Sequence, residues 1–92
     1  MIKSFADKDI QELFLKGASR KFGKISQIAL RKLNVLDSAK RIEDMRYPAG
    51  NRLEMLQGDR FGQYSIRINN RYRICFRWRN GESWDVEIVD YH

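Results

Sequence analysis

Apolar residues in the first half of the chain recur at three- and four-residue spacing, which is typical of amphipathic helices. The first predicted helix has Asp7 or Asp9 as its N-cap and Gly17 as its C-terminal stop. Its apolar face comprises Ile10, Leu13 and Phe14. The second predicted helix starts near Ile25, and its stripe comprises Ile28, Ala29, Leu33 and Leu36. We expect the two helices to form a hairpin whose stripes are buried as core.

The period changes to two in the second half of the chain, as in half-buried strands. Four alternating stretches cover about residues 52–55, 64–68, 72–78 and 84–89, and residues 2–5 alternate as well. Asn69-Asn70 and Asn80-Gly81 suit tight hairpins, while residues 42–45 predict a brief helical turn and residues 47–50 a loop. The predicted fold is α+β in the order β-α-α-β-β-β-β, a mostly antiparallel sheet with the N-terminal helical hairpin on one face.

Length and composition restrict the class of protein. A chain of 92 residues with 42% hydrophobic and 33% charged residues predicts one domain, residues 1–92, with a small core. We find no long apolar run and no secretory signal, so we expect a cytoplasmic protein and no membrane partner. One cysteine and one histidine argue against a disulfide or a structural zinc, and we expect neither a metal nor another cofactor. Cys75 lies in an apolar alternating stretch, which favours a packing role over a nucleophilic one.

The charge of the chain indicates a polyanionic partner. The net charge is +6 and the isoelectric point about 9.8. All lysines lie between Lys3 and Lys40, whereas every basic residue after position 51 is an arginine. Arginine suits bidentate phosphate contact and stacking on bases, so an arginine-rich sheet favours RNA or DNA. Solubility, or binding to an acidic protein, is the simpler alternative.

Strand alternation predicts where the arginines point. Arg67, Arg73 and Arg77 fall on the sheet face opposite the helices and would form a basic surface there. Asp85 and Glu87 lie on the last strand and complicate this interpretation, because cross-strand ion pairs would account for some of the arginines.

The chain ends in Asp90-Tyr91-His92, and His92 is its only histidine. A terminal histidine is usually a frayed surface residue, but the alternating stretch before it predicts a strand that anchors the tail. The unperturbed pKa of histidine lies close to neutrality, and the adjacent carboxylate and phenol extend the options for proton transfer. We therefore expect the C-terminus to border the basic surface as a candidate site.

Four segments together resemble the HigB toxins of the RelE/ParE superfamily of type II toxin–antitoxin systems. They are residues 50–60 (GNRLEMLQGDR), 64–69 (YSIRIN), 72–76 (YRICF) and 86–92 (VEIVDYH). The resemblance covers almost the whole chain. It implies a ribosome-dependent endoribonuclease that cuts mRNA and is neutralised by a HigA-like helix-turn-helix antitoxin.

The resemblance also implies roles for individual residues. The terminal Asp90, Tyr91 and His92 match residues implicated in cleavage, and Arg73 matches an arginine that binds or stabilises the scissile phosphate. Some family members have a second histidine where this chain has Glu54.

Further positions are candidate RNA contacts. Arg67 and Arg77 belong to the predicted basic surface, and Gln57 stands where some family members have a lysine. Arg60, within Gly58-Asp59-Arg60, is either structural or a contact to RNA.

Elementary chemistry is compatible with metal-independent RNA cleavage. Such a reaction needs a base for the 2′-hydroxyl proton, a cation for the charged phosphorane and an acid for the leaving 5′-oxygen. His92 is a candidate for either proton transfer, and Arg73 for the cation. Asp90 would orient His92 or serve as base, Tyr91 would position the nucleotide, and Glu54 is an alternative base. Spacing alone does not assign acid and base.

Two other functions fit the same fold. One is a ParE-like toxin that inhibits DNA gyrase and has no nuclease site. The other is a non-catalytic module that binds RNA or an antitoxin. Neither requires His92, so deletion of the last residue separates them from the nuclease.

Overall fold

Two helices form the N-terminal part of the molecule, whose computed structural model describes residues 1–90. Helix α1 spans Lys8–Lys16 and helix α2 spans Ser26–Ser38. The Asp7 carboxylate caps α1 by accepting from the Ile10 amide at 3.1 Å. Gly17 ends α1 in the left-handed conformation, φ 79°, with its N–H bonded to the Leu13 carbonyl. Both predicted helices and the α1 boundaries are confirmed.

Four strands form one antiparallel sheet in the order β1-β2-β3-β4. The strands are β1 (Glu54–Met55), β2 (Tyr64–Arg67), β3 (Tyr72–Arg79) and β4 (Glu82–Asp90). The predicted α+β class and the sequential strand order are confirmed. Strand β1 is shorter than predicted because Arg52 has a φ of 47°, a left-handed conformation from which extended pairing cannot start.

The opening residues, which the sequence indicated as a short strand, form only isolated bridges. Ile2 and Phe5 form isolated parallel bridges to Ser83 and Val86 of β4. The amide of Ile2 also donates to Asp37 Oδ1 at 2.8 Å, which ties the chain start to the end of α2. The N-terminal segment therefore lies along the outer edge of β4.

Three short 3₁₀ turns lie in the stretch between α2 and β2, which also contains β1. They cover Ile42–Arg46, Ala49–Asn51 and Gly58–Arg60, and a fourth turn, Gly23–Ile25, precedes α2. The helical turn predicted at residues 42–45 is thereby confirmed.

The core lies between the helices and one sheet face. Its fully buried members include Ile10, Leu13, Leu33, Leu36, Ile66, Ile74, Phe76 and Val86. The prediction that Ile28 belongs to the buried stripe of α2 is wrong, since its side chain is 38% exposed on the outer side of the helix. Within residues 1–90, neither helix is long and apolar enough to cross a membrane.

The opposite sheet face is called the arginine face. Because Ile66, Ile74 and Phe76 point to the helices, their alternate neighbours Ser65, Arg67, Arg73, Cys75 and Arg77 point away from them. A bulge shifts the β3–β4 register between Cys75 and Arg77, where Asp85 has a φ of 53°. The bulge places the Asp85 carboxylate beside Arg77.

Candidate functional site

Arg73 is the most constrained side chain of the arginine face. Arg73 is only 9% exposed, although its side chain points away from the core, as the alternation predicted. Its Nε donates to Ser65 Oγ at 2.8 Å and its Nη2 to the Arg52 carbonyl at 2.7 Å, while Nη1 lies 3.7 Å from Glu54 Oε1. A buried charge is tolerated only when it is paired and hydrogen-bonded, and these contacts meet that requirement. They hold the guanidinium in one place.

The carbonyl that receives Arg73 is positioned by a buried amide. Asn51 is 2% exposed, and its Nδ2 donates to the carbonyls of Met45 at 3.3 Å and Tyr47 at 3.1 Å. Its Oδ1 accepts from Lys32 Nζ, and burial lowers the pKa of that lysine. The next residue, Arg52, has the left-handed φ of 47°. Asn51 thus links α2 to the site through its own side chain.

An open pocket of about 270 Å³ lies beside Arg73 and is called the arginine pocket. It is lined by Arg52, Arg67, Asn69, Asn70 and Arg73. Arg67 is the cross-strand partner of Arg73; its Nε donates to the Asn69 carbonyl at 3.0 Å and its Nη2 to Asn70 Oδ1. Three guanidinium groups and no carboxylate among the lining residues make this an anion-binding arrangement.

Glu54 lies at the rim of the same face. Glu54 pairs with Ser65 across β1 and β2, and its side chain is 54% exposed, so its carboxylate is open to solvent beside Arg73. Gln57 is exposed in the connection that leads from β1 to the Gly58–Arg60 turn. Glu54 is therefore the carboxylate that the structure brings to Arg73.

Two of the predicted RNA-binding arginines form ion pairs with the acidic residues of β4. Arg60 Nη1 lies 3.0 Å from Glu87 Oε1, and Arg77 Nε lies 3.6 Å from Asp85 Oδ2. The prediction that Asp85 and Glu87 pair with arginines is confirmed. Such partly exposed pairs contribute little stability, and they reduce the net positive charge of the arginine face.

Asp90 lies on the other side of the sheet from Arg73. It pairs with Tyr72, whose side chain packs against the core, whereas Val89 is the cross-strand neighbour of Arg73. The Asp90 carboxylate accepts from Arg71 Nε at 3.0 Å and Nη2 at 2.8 Å, and these bonds raise the pKa of Arg71. The sequence had predicted that the terminal Asp-Tyr-His borders the basic surface, but Asp90 itself is turned to the helix side.

The predicted site residues Tyr91 and His92 lie outside the described residues. A cavity of about 360 Å³, lined in part by Lys21, Phe22 and Tyr72, adjoins Asp90. Within residues 1–90, no three His, Cys, Asp or Glu side chains lie together as a metal ligand set.

Sequence reasoning missed Arg52, Ser65 and the side chains of the Asn69-Asn70 turn as parts of the site. Asn69 Oδ1 accepts from the amides of Arg71 and Tyr72, both at 2.8 Å, which is turn chemistry that the sequence did indicate. Arg52 gave no comparable signal, because neither its left-handed backbone nor its carbonyl contact depends on a local pattern.

Comparison with known proteins identifies the family of this chain. A family model described as "RelE-like toxin of type II toxin-antitoxin system HigB" matches residues 3–92. The chain belongs to the HigB family. Since the family consists of toxins from type II toxin–antitoxin systems, an antitoxin is the partner class that membership implies.

Two curated relatives extend along most or all of this HigB-family chain. Toxin HigB-1 of Vibrio cholerae serotype O1 is 36% identical over 83 residues, which are 88% of this chain and 87% of that protein. Endoribonuclease HigB of Proteus vulgaris is 35% identical over 95 residues and covers 100% of both. The solved YoeB-YefM complex from Staphylococcus aureus contains a chain with a TM-score of 0.58 and 17% identity, covering 100% of this chain and 98% of that one. That likeness concerns the fold alone.

Proposed function

We propose that this protein is a ribosome-dependent endoribonuclease that cleaves mRNA as the toxin of its system. One observation carries the proposal: a fixed, buried Arg73 borders a pocket to which Arg52 and Arg67 supply two further guanidinium groups, and no carboxylate is among the residues that line it. Such a pocket suits a ribose-phosphate backbone. The relative from Proteus vulgaris named Endoribonuclease HigB aligns with this chain over its whole length, which supports RNA cleavage as the activity.

The proposed reaction is an internal transesterification. A base removes the 2′-hydroxyl proton, the 2′-oxygen attacks the adjacent phosphorus, and the P–O5′ bond breaks. The acid donates a proton to the leaving 5′-oxygen. The products are a 2′,3′-cyclic phosphate and a 5′-hydroxyl. Arg73 stabilises the charge that develops on the non-bridging oxygens of the phosphorane.

Proton transfer is assigned to His92 and Glu54. His92 exchanges a proton with the 5′-oxygen or the 2′-hydroxyl. Glu54, with its carboxylate 3.7 Å from Arg73 and half exposed, is the candidate for the other transfer. Tyr91 positions the nucleotide by stacking or hydrogen bonding. Asp90 forms an ion pair with Arg71, which favours a role for Asp90 in orienting the end of the chain.

The remaining candidates contribute to RNA binding. Arg67 contacts a phosphate from the arginine pocket, and Gln57, whose side chain is exposed, contributes a further contact. Arg60 and Arg77 are partly neutralised by Glu87 and Asp85, so we assign them weaker, peripheral contacts.

The proposed setting is a single domain, residues 1–92, that acts in the cytoplasm without a cofactor. Its partners are the ribosome with its mRNA and a HigA-like helix-turn-helix antitoxin. The net charge of +6 supports association with ribosomal RNA by counterion release.

The decisive test is cleavage of mRNA on programmed ribosomes, with 5′-end mapping, by the wild type and the His92→Gln variant. We expect the variant to cleave about 10²- to 10⁴-fold more slowly, because a positioned acid or base contributes that much, while its thermal unfolding is unchanged. Equal cleavage by the variant would remove His92 from the mechanism. Absence of ribosome-dependent cuts by the wild type would refute the nuclease, and gyrase inhibition in the same preparation would then indicate the ParE-like alternative.

A further inference from the structure

We propose that Arg52, together with Arg67, forms a second phosphate subsite that holds the mRNA phosphate adjacent to the scissile one. The proposal deepens the proposed function and rests on it. Arg73 alone serves the scissile phosphate, whereas the neighbouring subsite fixes the register of the backbone. The first support is that Arg52 and Arg67 line the same 270 Å³ pocket as Arg73.

The backbone of Arg52 is fixed while its side chain remains available. Its amide donates to the Ala49 carbonyl at 3.2 Å and its carbonyl accepts from Arg73 Nη2 at 2.7 Å. The preceding Asn51 is buried and bonded on both ends of its amide. Within residues 1–90, the Arg52 guanidinium itself has no hydrogen bond or ion pair. An exposed arginine on a rigid, left-handed backbone beside a buried arginine is suited to bind a phosphate group.

Arg67 supplies the other half of the subsite. Its Nε and Nη2 are bound to the Asn69 carbonyl and to Asn70 Oδ1, which fixes the guanidinium plane. A pre-oriented guanidinium loses little rotamer entropy when it binds a phosphate.

The charge balance of the pocket requires more than Arg73. Glu54 lies 3.7 Å from Arg73 Nη1 and offsets part of that guanidinium's charge. Arg52 and Arg67 therefore provide the excess positive charge of the pocket. An RNA segment of two phosphates carries two negative charges, which the three guanidinium groups lining the pocket can offset.

The test compares Arg52→Asn with the matched control Arg46→Asn. Asparagine tolerates the left-handed conformation, so the carbonyl contact to Arg73 is kept. Arg46 is exposed, does not line the pocket and loses the same unit of charge. On programmed ribosomes we expect Arg52→Asn to raise KM about tenfold or more, the effect of one charge-assisted hydrogen bond, with kcat within about twofold. Arg46→Asn should leave both parameters near the wild-type values.

A neutral methylphosphonate linkage identifies the phosphate that is held. The methylphosphonate is placed in turn on either side of the scissile linkage. At one of these positions it should raise KM for the wild type. With the methylphosphonate at that position, Arg52→Asn should cause no further increase in KM. Wild-type cleavage with equal KM for the Arg52 and Arg46 variants would overturn the subsite and leave the nuclease intact. Additive effects of the linkage and Arg52→Asn would also overturn it. Failure of the wild type to cleave any mRNA would overturn both proposals.

Discussion

At the scale of single residues, Cys75 shows that burial can occur on both faces of the sheet. Its side chain points to the arginine face, yet it is fully buried, and the charges of Arg60, Arg73 and Glu87 act on it. Burial raises the pKa of the thiol above its ordinary value of 9.0, since a thiolate would lose its hydration there. This supports the packing interpretation of the cysteine over the nucleophilic one.

The raised pKa of Cys75 predicts a loss of stability at alkaline pH. Below the ordinary value of 9.0 the thiol is protonated in the folded and unfolded chains alike, so its contribution is constant. Above that value the unfolded chain releases the proton first, and the free energy of unfolding falls as pH rises. We expect urea unfolding to show a larger drop between about pH 8 and pH 10 for the wild type than for Cys75→Ala. Parallel pH profiles for the two proteins would contradict the prediction.

At the scale of elements, the β3–β4 hairpin depends on its two-residue turn. Asn80 and Gly81 have φ values of 54° and 77°, as the primed turns of tight hairpins require. A Cβ at position 81 would lie 3.3 Å from the Lys40 carbonyl. The turn therefore connects the two longest strands and also approaches the chain segment that follows α2.

Replacement of Gly81 by alanine should destabilise the protein by about 1–2 kcal/mol, the cost of a left-handed conformation for a residue with a Cβ. Gly50→Ala is the matched control, because Gly50 has no positive φ and an added Cβ would contact nothing within 4 Å. The control should be neutral or slightly stabilising. Chemical unfolding of both variants measures the difference, and equal effects would show that the turn conformation is not limiting.

At the scale of the whole molecule, the two faces of the sheet make different contacts. One face joins the helices in the apolar core, and the other carries the arginines and the candidate site. Stability and RNA binding should therefore respond to different substitutions.

Leu33→Ala in the core should lower the free energy of unfolding by about 2–5 kcal/mol, through lost burial and the cavity that remains. Leu33 is 0% exposed, whereas Leu15, also in a helix, is 68% exposed. Leu15→Ala should change stability by less than about 0.5 kcal/mol. Thermal and urea unfolding of both variants test this. If both substitutions lowered the free energy of unfolding equally, the assignment of the core to the helix–sheet interface would be wrong.

Most elements, and the faces to which their residues belong, could be predicted from the sequence alone. Helix caps, the change of apolar period and the asparagine-rich turns act between near neighbours in the chain, so α1, α2, the hairpins and the direction of Arg73 were predictable. The burial of Arg73, its hydrogen bond to the Arg52 carbonyl and the ion pair between Asp90 and Arg71 became known only from the folded structure. These contacts depend on strand register and on loops distant in sequence, since a one-residue change in register moves a side chain to the opposite face.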